Sequence, residues 1–187
     1  MMKKGHLVVI SAPSGAGKTT ICRRLQELHP DWRFSISATT RPRREHEIDG
    51  KDYFFLTEEE FDHYTAEDEF VEWEAIYNDR YGTLKSTILA ALKNGEALLL
   101  DVDVKGGVNV KKKFPEDTTA IFIEPPDLET LVSRLKKRGT ENAETLQNRL
   151  ARIPEEMAQK KDYDYVVVND DLDQAVKEVE TIIMEMQ

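Results

Sequence analysis

Residues 11–20 read Ser-Ala-Pro-Ser-Gly-Ala-Gly-Lys-Thr-Thr and follow directly on the apolar run Leu7-Val8-Val9-Ile10. A strand, a Gly-rich turn and a helix start in that order make a trap for phosphate. Small residues let backbone N–H groups converge on phosphate oxygens, Lys18 can reach the outer phosphates, and the Thr19 hydroxyl can hold Mg²⁺. A helix beginning near Lys18 adds the positive end of its dipole. The pattern is G-x-x-x-x-G-K-[ST] with Ala12 standing where the first Gly is expected. Alanine is small but tolerates positive φ poorly, so ordinary negative φ is expected at Ala12, with nucleotide binding kept. The alternative is a turn that merely joins strand to helix; the upstream strand and the Lys-Thr pair weigh against it.

Three further groups of residues have chemistry in them. Asp101-Val102-Asp103 leaves the apolar run 97–100. An acid at the exit of a buried parallel strand sits at the ligand-binding edge of such a sheet, where phosphate-loop enzymes hold Mg²⁺, often through water. Capping the helix that follows is an alternative compatible with that role. Arg41, Arg43 and Arg44 fall within four residues of an acidic chain. Guanidinium forks suit phosphate oxygens, although Arg43 also reads simply as solvated charge. Arg134 and Arg138 share one helix face, and Arg149 lies beyond a polar break at 139–143. Two helices joined by a short loop can swing as a flap and bring guanidinium groups onto a transferring phosphoryl. Surface pairing with Glu129, Glu141 or Glu144 explains the same spacing equally well.

These residues need elements to position them. Residues 7–10 predict a buried strand, and 18–28 a helix with Ile21, Leu25 and Leu28 on one face, ended by Pro30. Alternation over 34–37 predicts a second strand. From there to about Thr83, short aromatic runs alternate with charged turns, which reads as a small β-rich lobe inserted in the main sheet. Within it, Thr57 and Glu60 have the spacing of a capping box, and Phe70 and Trp73 read as packing. Then come a helix at 84–94 ended by Asn94-Gly95, a strand at 97–101, a helix at 106–113 and a strand at 119–123. A helix over 127–138, a second running to about 161 and bent or interrupted near Pro154, a strand at 165–168 and an amphipathic helix at 171–186 complete the chain. Strands alternating with helices predict an α/β fold, a parallel sheet covered on both faces.

The length of 187 residues suits one domain with small lobes. Net charge is −10, which argues against general attraction to nucleic acid or an acidic membrane. Cys22 is the only cysteine, so no intramolecular disulfide forms, a reducing cytoplasmic setting is expected, and packing in the first helix is its simplest role. The apolar run after the first lysines is too short for a signal peptide, and no stretch has the length of a membrane span. His6, His29, His46 and His63 lack ligand spacing.

Taken together the motifs resemble the guanylate kinase family, bacterial-type sequences in particular, from Leu7 to the closing helix. SAPSGAGKTT resembles its nucleotide loop, where Ala in the first position is familiar. SISATTRPRR, DGKDYFF, FVEW and YGT resemble its GMP-binding lobe, and LDVDVKGG its acidic strand exit. R-x-x-x-R…RL and DYDYVVVNDD resemble its lid and adenine-side loop. The resemblance implies a three-layer phosphate-loop NTPase fold with core 1–37, 85–133 and 151–187, a GMP lobe at about 38–84 and a helical lid at about 134–150. It implies ATP binding by Ala12, Pro13, Ser14, Gly15, Ala16, Gly17, Lys18, Thr19, Thr20, Arg134, Asn169 and Asp170. Ser37, Arg41, Arg44, Tyr53, Glu72, Tyr81, Thr83, Asp101 and Asp103 would bind GMP. Lys18, Arg44, Arg138 and Arg149 would be catalytic, and Thr19 and Asp101 would hold Mg²⁺, partly through water. Two positions depart from the pattern: Asp79-Arg80 precedes Tyr81 where Asn-Tyr is usual, and Lys105 replaces a common Gln. Arg80 would add a phosphate contact or exposed charge, and Lys105 would pair with Asp101 or Asp103.

The expected reaction is Mg²⁺-dependent transfer of the ATP γ-phosphoryl to GMP, giving ADP and GDP, with dGMP as a further acceptor to test. The role of Glu72 has a chemical basis. Guanine presents donors at N1 and its amine, which a carboxylate accepts, while a hydroxyl such as Ser37 can donate to O6. Adenine has an acceptor at N1, and sites built on such bonds reject an unmatched ligand by roughly 10⁴–10⁵. A kinase for another small phosphate ester and a non-catalytic protein-binding module of the same family are the alternatives. Ser37 and Glu72 argue against the first, and the intact Gly17-Lys18-Thr19 against the second.

Overall fold

The first strand, β1 (His6–Ser11), is buried at every position but His6, and its side chains alternate between two cores. Val8 and Ile10 face one way, Leu7 and Val9 the other, as the period of two in a strand requires. This is a computed structural model and describes residues 5–76, 78–137 and 143–186. After β1 come α1 (Lys18–Leu28), as the sequence predicts, and β2 (Arg33–Phe34). Then follow β3 (Ala38–Thr39), β4 (Phe54–Phe55), α2 (Glu58–Ala66), β5 (Phe70–Ile76), β6 (Asp79–Leu84) and α3 (Lys85–Asn94). The remainder is β7 (Ala97–Asp101), α4 (Val104–Lys113), β8 (Thr118–Glu124), α5 (Leu128–Lys137), α6 (Ala143–Ala158), β9 (Tyr165–Val168) and α7 (Leu172–Met184). A turn of 3₁₀ helix, Gln159–Asp162, joins α6 to β9.

Five strands form the main sheet in the order β2-β7-β1-β8-β9, and every pairing in it is parallel. Helices α1, α5 and α7 pack Ile21, Leu25, Leu131, Leu135, Val176 and Val179 on one face. On the other, α3 and α4 pack Ile88, Ala91, Val104 and Val108. Burying each of the leucine, isoleucine and valine side chains contributes about 1.5–3 kcal/mol, which makes the two cores the main source of stability. No helix among the described residues is long and apolar enough to cross a membrane.

Residues 34–37 do not make one strand. Arg33 and Phe34 pair with β7, then the chain leaves the main sheet, and Ala38 and Thr39 pair instead with β4 and β6. Those strands belong to a second sheet of four, ordered β4-β3-β6-β5. Its small core is Ala38, Phe61 and Phe70. Trp73, expected to be packing, lies on the outer side of β5 at 42% exposure, touching Phe61 edge-on. Helix α4 starts at Val104, two residues ahead of the sequence expectation, because Asp103 caps it by accepting the Gly106 N–H at 2.6 Å. Helix α6 runs through Pro154. The polar break at 139–143 lies, except for Ala143, outside the described residues.

The capping box read from the sequence is present on α2: the Thr57 hydroxyl accepts the Glu60 N–H, and Glu60 accepts the Thr57 N–H. Thr57 is exposed, so Thr57→Ala should cost about 1 kcal/mol through the cap alone, read as a shift in the urea midpoint at unchanged slope.

Candidate active site

Strand β1 delivers the chain to the phosphate loop and α1 takes it away. Gly17 precedes α1 with φ of +98°, and no side chain caps the helix. A Cβ on Gly17 would lie 2.2 Å from Asn169 Nδ2, so both φ and space require glycine. The first N–H groups of α1 are therefore open to an anion in the loop. Ala12 keeps the negative φ expected of it, since Asp68 is the one non-glycine with positive φ among the described residues. Asn169, expected on the adenine side, is buried behind the loop, where its amide donates to the Ala16 carbonyl at 2.7 Å. Its neighbour Asp170 is exposed.

Lys18 reaches from α1 to the exits of β1 and β7. Its ammonium forms an ion pair with Asp101 and donates to the Val102 carbonyl at 2.8 Å. Burial pulls the pKa of this group down, but Asp101 outweighs burial and the net shift is upward, so Lys18 stays charged. Asp103 takes the helix-capping role with one oxygen, while its Oδ2 is buried without a hydrogen-bond partner. Burial raises its pKa. Lys105 does not join either acid. It pairs with Glu74 on β5, across the face that α4 presents to the second sheet.

The second sheet brings Glu72 opposite Thr83 in the β5–β6 ladder, and the Thr83 hydroxyl donates to Glu72 Oε1 at 2.5 Å. Glu72 Oε2 would lie 2.7 Å from a Cβ on Gly106, and Asp103 Oδ1 2.8 Å from it, so the glycine makes room for both acids at the start of α4. Burial pushes the Glu72 carboxyl up to about 7; Thr83 opposes this and the nearby Asp103 and Glu74 add to it. Ser37 is half-buried beside this sheet, its carbonyl accepting Phe54 N–H at 2.9 Å.

The arginine run is organised by a residue that sequence reasoning missed. Glu47 is 7% exposed and grips Arg41 in a fork, Nη2 at 2.7 Å and Nη1 at 3.1 Å. It also accepts the Arg44 backbone N–H at 2.8 Å, and its own carbonyl takes Arg43 Nη1 at 2.8 Å. The Arg41 guanidinium lies 5.4 Å from the Tyr53 ring centre, and Tyr53 meets Tyr81 edge-on. The Arg44 side chain is exposed. The signal available was an acid three residues after Arg44, the reach of a tight turn. Arg80 turns its guanidinium toward α2: it pairs with Glu58 and with Asp62 at 2.6 Å and covers the Phe61 ring, so its charge is not an exposed one.

Helices α5 and α6 close the other side. Arg134 Nη2 donates to the Asn169 carbonyl at 3.1 Å, and Arg149 Nη1 donates to Ser14 Oγ at 3.0 Å. Arg138 lies outside the described residues. Loop residues 12–15 and 17–19, Asp103 and α6 line a cavity of about 210 Å³. Thr19 and Thr20 are exposed on the first turn of α1. Sequence reasoning also missed Arg152 and Glu156 in that wall, because nothing marks the inward face of α6 until its docking is known.

A phosphate loop and its lysine at the carboxyl edge of a parallel sheet, beside a lobe with a half-buried acid and an arginine cluster, define a phosphate-loop kinase of α/β fold. The sequence model described as guanylate kinase matches residues 4–186. The chain belongs to the guanylate kinase family. It is 49% identical over 182 residues to a guanylate kinase of Caldanaerobacter subterraneus, covering 97% of this chain and 88% of that one. With a guanylate kinase of Salinibacter ruber it shares 50% identity over 183 residues, 97% of each chain. The crystal structure of guanylate kinase from Anaplasma phagocytophilum superposes with a TM-score of 0.79 at 28% identity, covering 99% of this chain and 87% of that one.

Arg41 holds the Glu47 carboxyl down at about 2, well below the usual 4.5. A depressed folded-state pKa contributes stability above the unfolded value that disappears as pH falls through the folded one. Glu47→Gln should therefore melt below wild type at pH 6, and the two melting curves should converge between about pH 4.5 and pH 2, as followed by circular dichroism.

Proposed function

We propose that this chain transfers the γ-phosphoryl of ATP to GMP and releases ADP and GDP. The observation that carries the reading is the half-buried Glu72 carboxyl, bonded to Thr83 and brought beside Asp103 at the start of α4, while Lys18 stands at the neighbouring exit of β7. One pocket fits a triphosphate and the other the hydrogen-bonding edge of guanine. In the first, the backbone of residues 12–20, Lys18 and Arg149 meet the ATP phosphates. Arg134 and Asn169 brace the loop, and Asp170 stands on the nucleoside side. In the second, Glu72, Thr83, Ser37 and Asp103 read the base, and Arg41, Arg44, Tyr53 and Tyr81 grip the GMP phosphate. Arg138 joins Arg149 and Arg44 over the transferring group on the strength of the family motif. Residues at about 38–84 act as the GMP lobe, and those at about 134–150 as the lid.

The donors present fit Mg²⁺ brought in with ATP. They are hard oxygens, the Thr19 hydroxyl and the Asp101 carboxylate, and no group of three acidic, histidine or cysteine residues among those described makes a cage of its own. Bound there, the ion would neutralise phosphate charge. The protein's own part is positioning. A GMP phosphate oxygen is already ionised at neutral pH, so in-line attack needs no strong base, and the residues above hold donor and acceptor together. Closure excludes water that would hydrolyse ATP. A buried lone cysteine fits a reducing cytoplasm.

A coupled ADP-release assay with GMP, dGMP, AMP, UMP and ribose phosphates offered separately tests the reading. GMP should far exceed AMP and UMP; equal rates with AMP and GMP would overturn it. Glu72 gives a sharper expectation. A carboxylate accepts both guanine donors, whereas the protonated acid sets its own O–H against them. With the group titrating at about 7, KM for GMP should rise as pH falls from 8 to 6 while KM for ATP stays level. Glu72→Gln should raise KM for GMP far more than for ATP and abolish that pH dependence.

A further inference from the structure

Helix α6 turns three charged side chains, Arg149, Arg152 and Glu156, into the phosphate-loop cavity. Their spacing of three and four residues puts them on one face. Two of them hold the loop at Ser14, Arg149 through the hydroxyl at 3.0 Å and Glu156 by accepting the backbone N–H at 3.3 Å. Arg152 is held more loosely. Its Nε is 3.5 Å from Glu156 Oε1, and its Nη2 is 4.0 Å from Asp103 Oδ2. Both exceed the 2.7–2.9 Å of an engaged guanidinium fork. The side chain is 37% exposed and lines the cavity.

The two acids fix where that guanidinium stands. Glu156 ties it to the phosphate loop. Asp103 ties it to the other pocket, because Asp103 and Glu72 flank the same glycine, Gly106, at the start of α4. Arg152 thus occupies the junction of the two pockets, where a phosphoryl group must cross. Asp103 Oδ2 is buried and has no hydrogen-bond partner, so it attracts the guanidinium without locking it.

We propose that Arg152 is a further catalytic residue of this enzyme, its guanidinium turning from Asp103 and Glu156 onto the phosphoryl group in transit, beside Arg149. The proposal rests on the two-pocket reading above. Charge in such a transfer spreads over the equatorial oxygens, and a second fork can meet those that Arg149 does not. A purely structural Arg152 would only tie one turn of α6 to the next through Glu156.

The test is steady-state ADP release by wild type, Arg152→Ala and Arg152→Lys, together with ADP affinity by titration calorimetry and melting temperature. Arg152→Ala should lower kcat about tenfold or more while KM for GMP and ADP affinity stay within about twofold and melting is unchanged. Arg152→Lys should recover part of the loss, having the charge without the fork. A kcat within about twofold of wild type in both variants overturns the proposal, as does a fall in kcat matched by an equal fall in ADP affinity or by a lower melting temperature. A wild-type chain that releases no ADP with GMP takes down the two-pocket reading, and this proposal with it.

Discussion

Lys18 is an ammonium in a largely enclosed place, and Asp101 is what keeps it charged there. Burial alone would favour the neutral amine, which has little to offer a phosphate. Asp101 is in reach because β7 lies beside β1 with Asp101 opposite Ile10. That register is fixed by the cores on both faces, since a slip of one residue would exchange every side chain between them. Packing of Leu98, Leu99 and Leu100 therefore sets the position of the acid that follows, and the acid sets the state of the lysine. The same strand exit leads into Asp103 and the start of α4, so the floor of the phosphate-loop cavity descends from one pair of neighbouring strands.

An acidic chain that handles phosphates must keep its cations where they are needed. Here arginines and lysines are parked against carboxylates: Arg41 on Glu47, Arg80 on Glu58 and Asp62, Lys105 on Glu74. These pairs are not equal. Arg80 meets acids more than 60% exposed, and such pairs contribute about 0–1 kcal/mol each. Arg41 and Glu47 are both nearly enclosed and joined by a fork, so removing either leaves a charge uncompensated. The first kind of pair shapes the lobe's surface. The second fixes the direction in which the Arg41 guanidinium points.

Much of this was readable in the chain. The phosphate loop, the strand exit at Asp101 and the capping box at Thr57 are local patterns in which neighbours in sequence act on one another, and each stands where the spacing put it. Helix and strand positions followed because burial on one or both faces leaves a period in the residues. The misreadings share a cause. Residues 34–37 alternate like a strand, yet they straddle two sheets, and alternation does not say which sheet a residue joins. Trp73 looked like core because it is large and apolar, while its face is set by pairing with Gly82. Glu47, Arg152 and Glu156 are charged residues whose partners come from other turns or other elements, and composition treats them as solvated; Lys105 was given a partner close in sequence, and its true one, Glu74, comes from the second sheet. Asn169 shows the same limit: its motif was visible, but that its amide braces Ala16 depends on β9 ending beside the loop.

Helix α6 carries on through Pro154, although proline has no N–H to give the carbonyl of Leu150. One rung of the ladder is missing between the turn that bears Arg149 and the turn that bears Glu156. A rod with a soft joint does not transmit a pull along its whole length. A pull on the turn of Arg149 would fade at that joint, and Met157 beyond it would keep its seat against the main core.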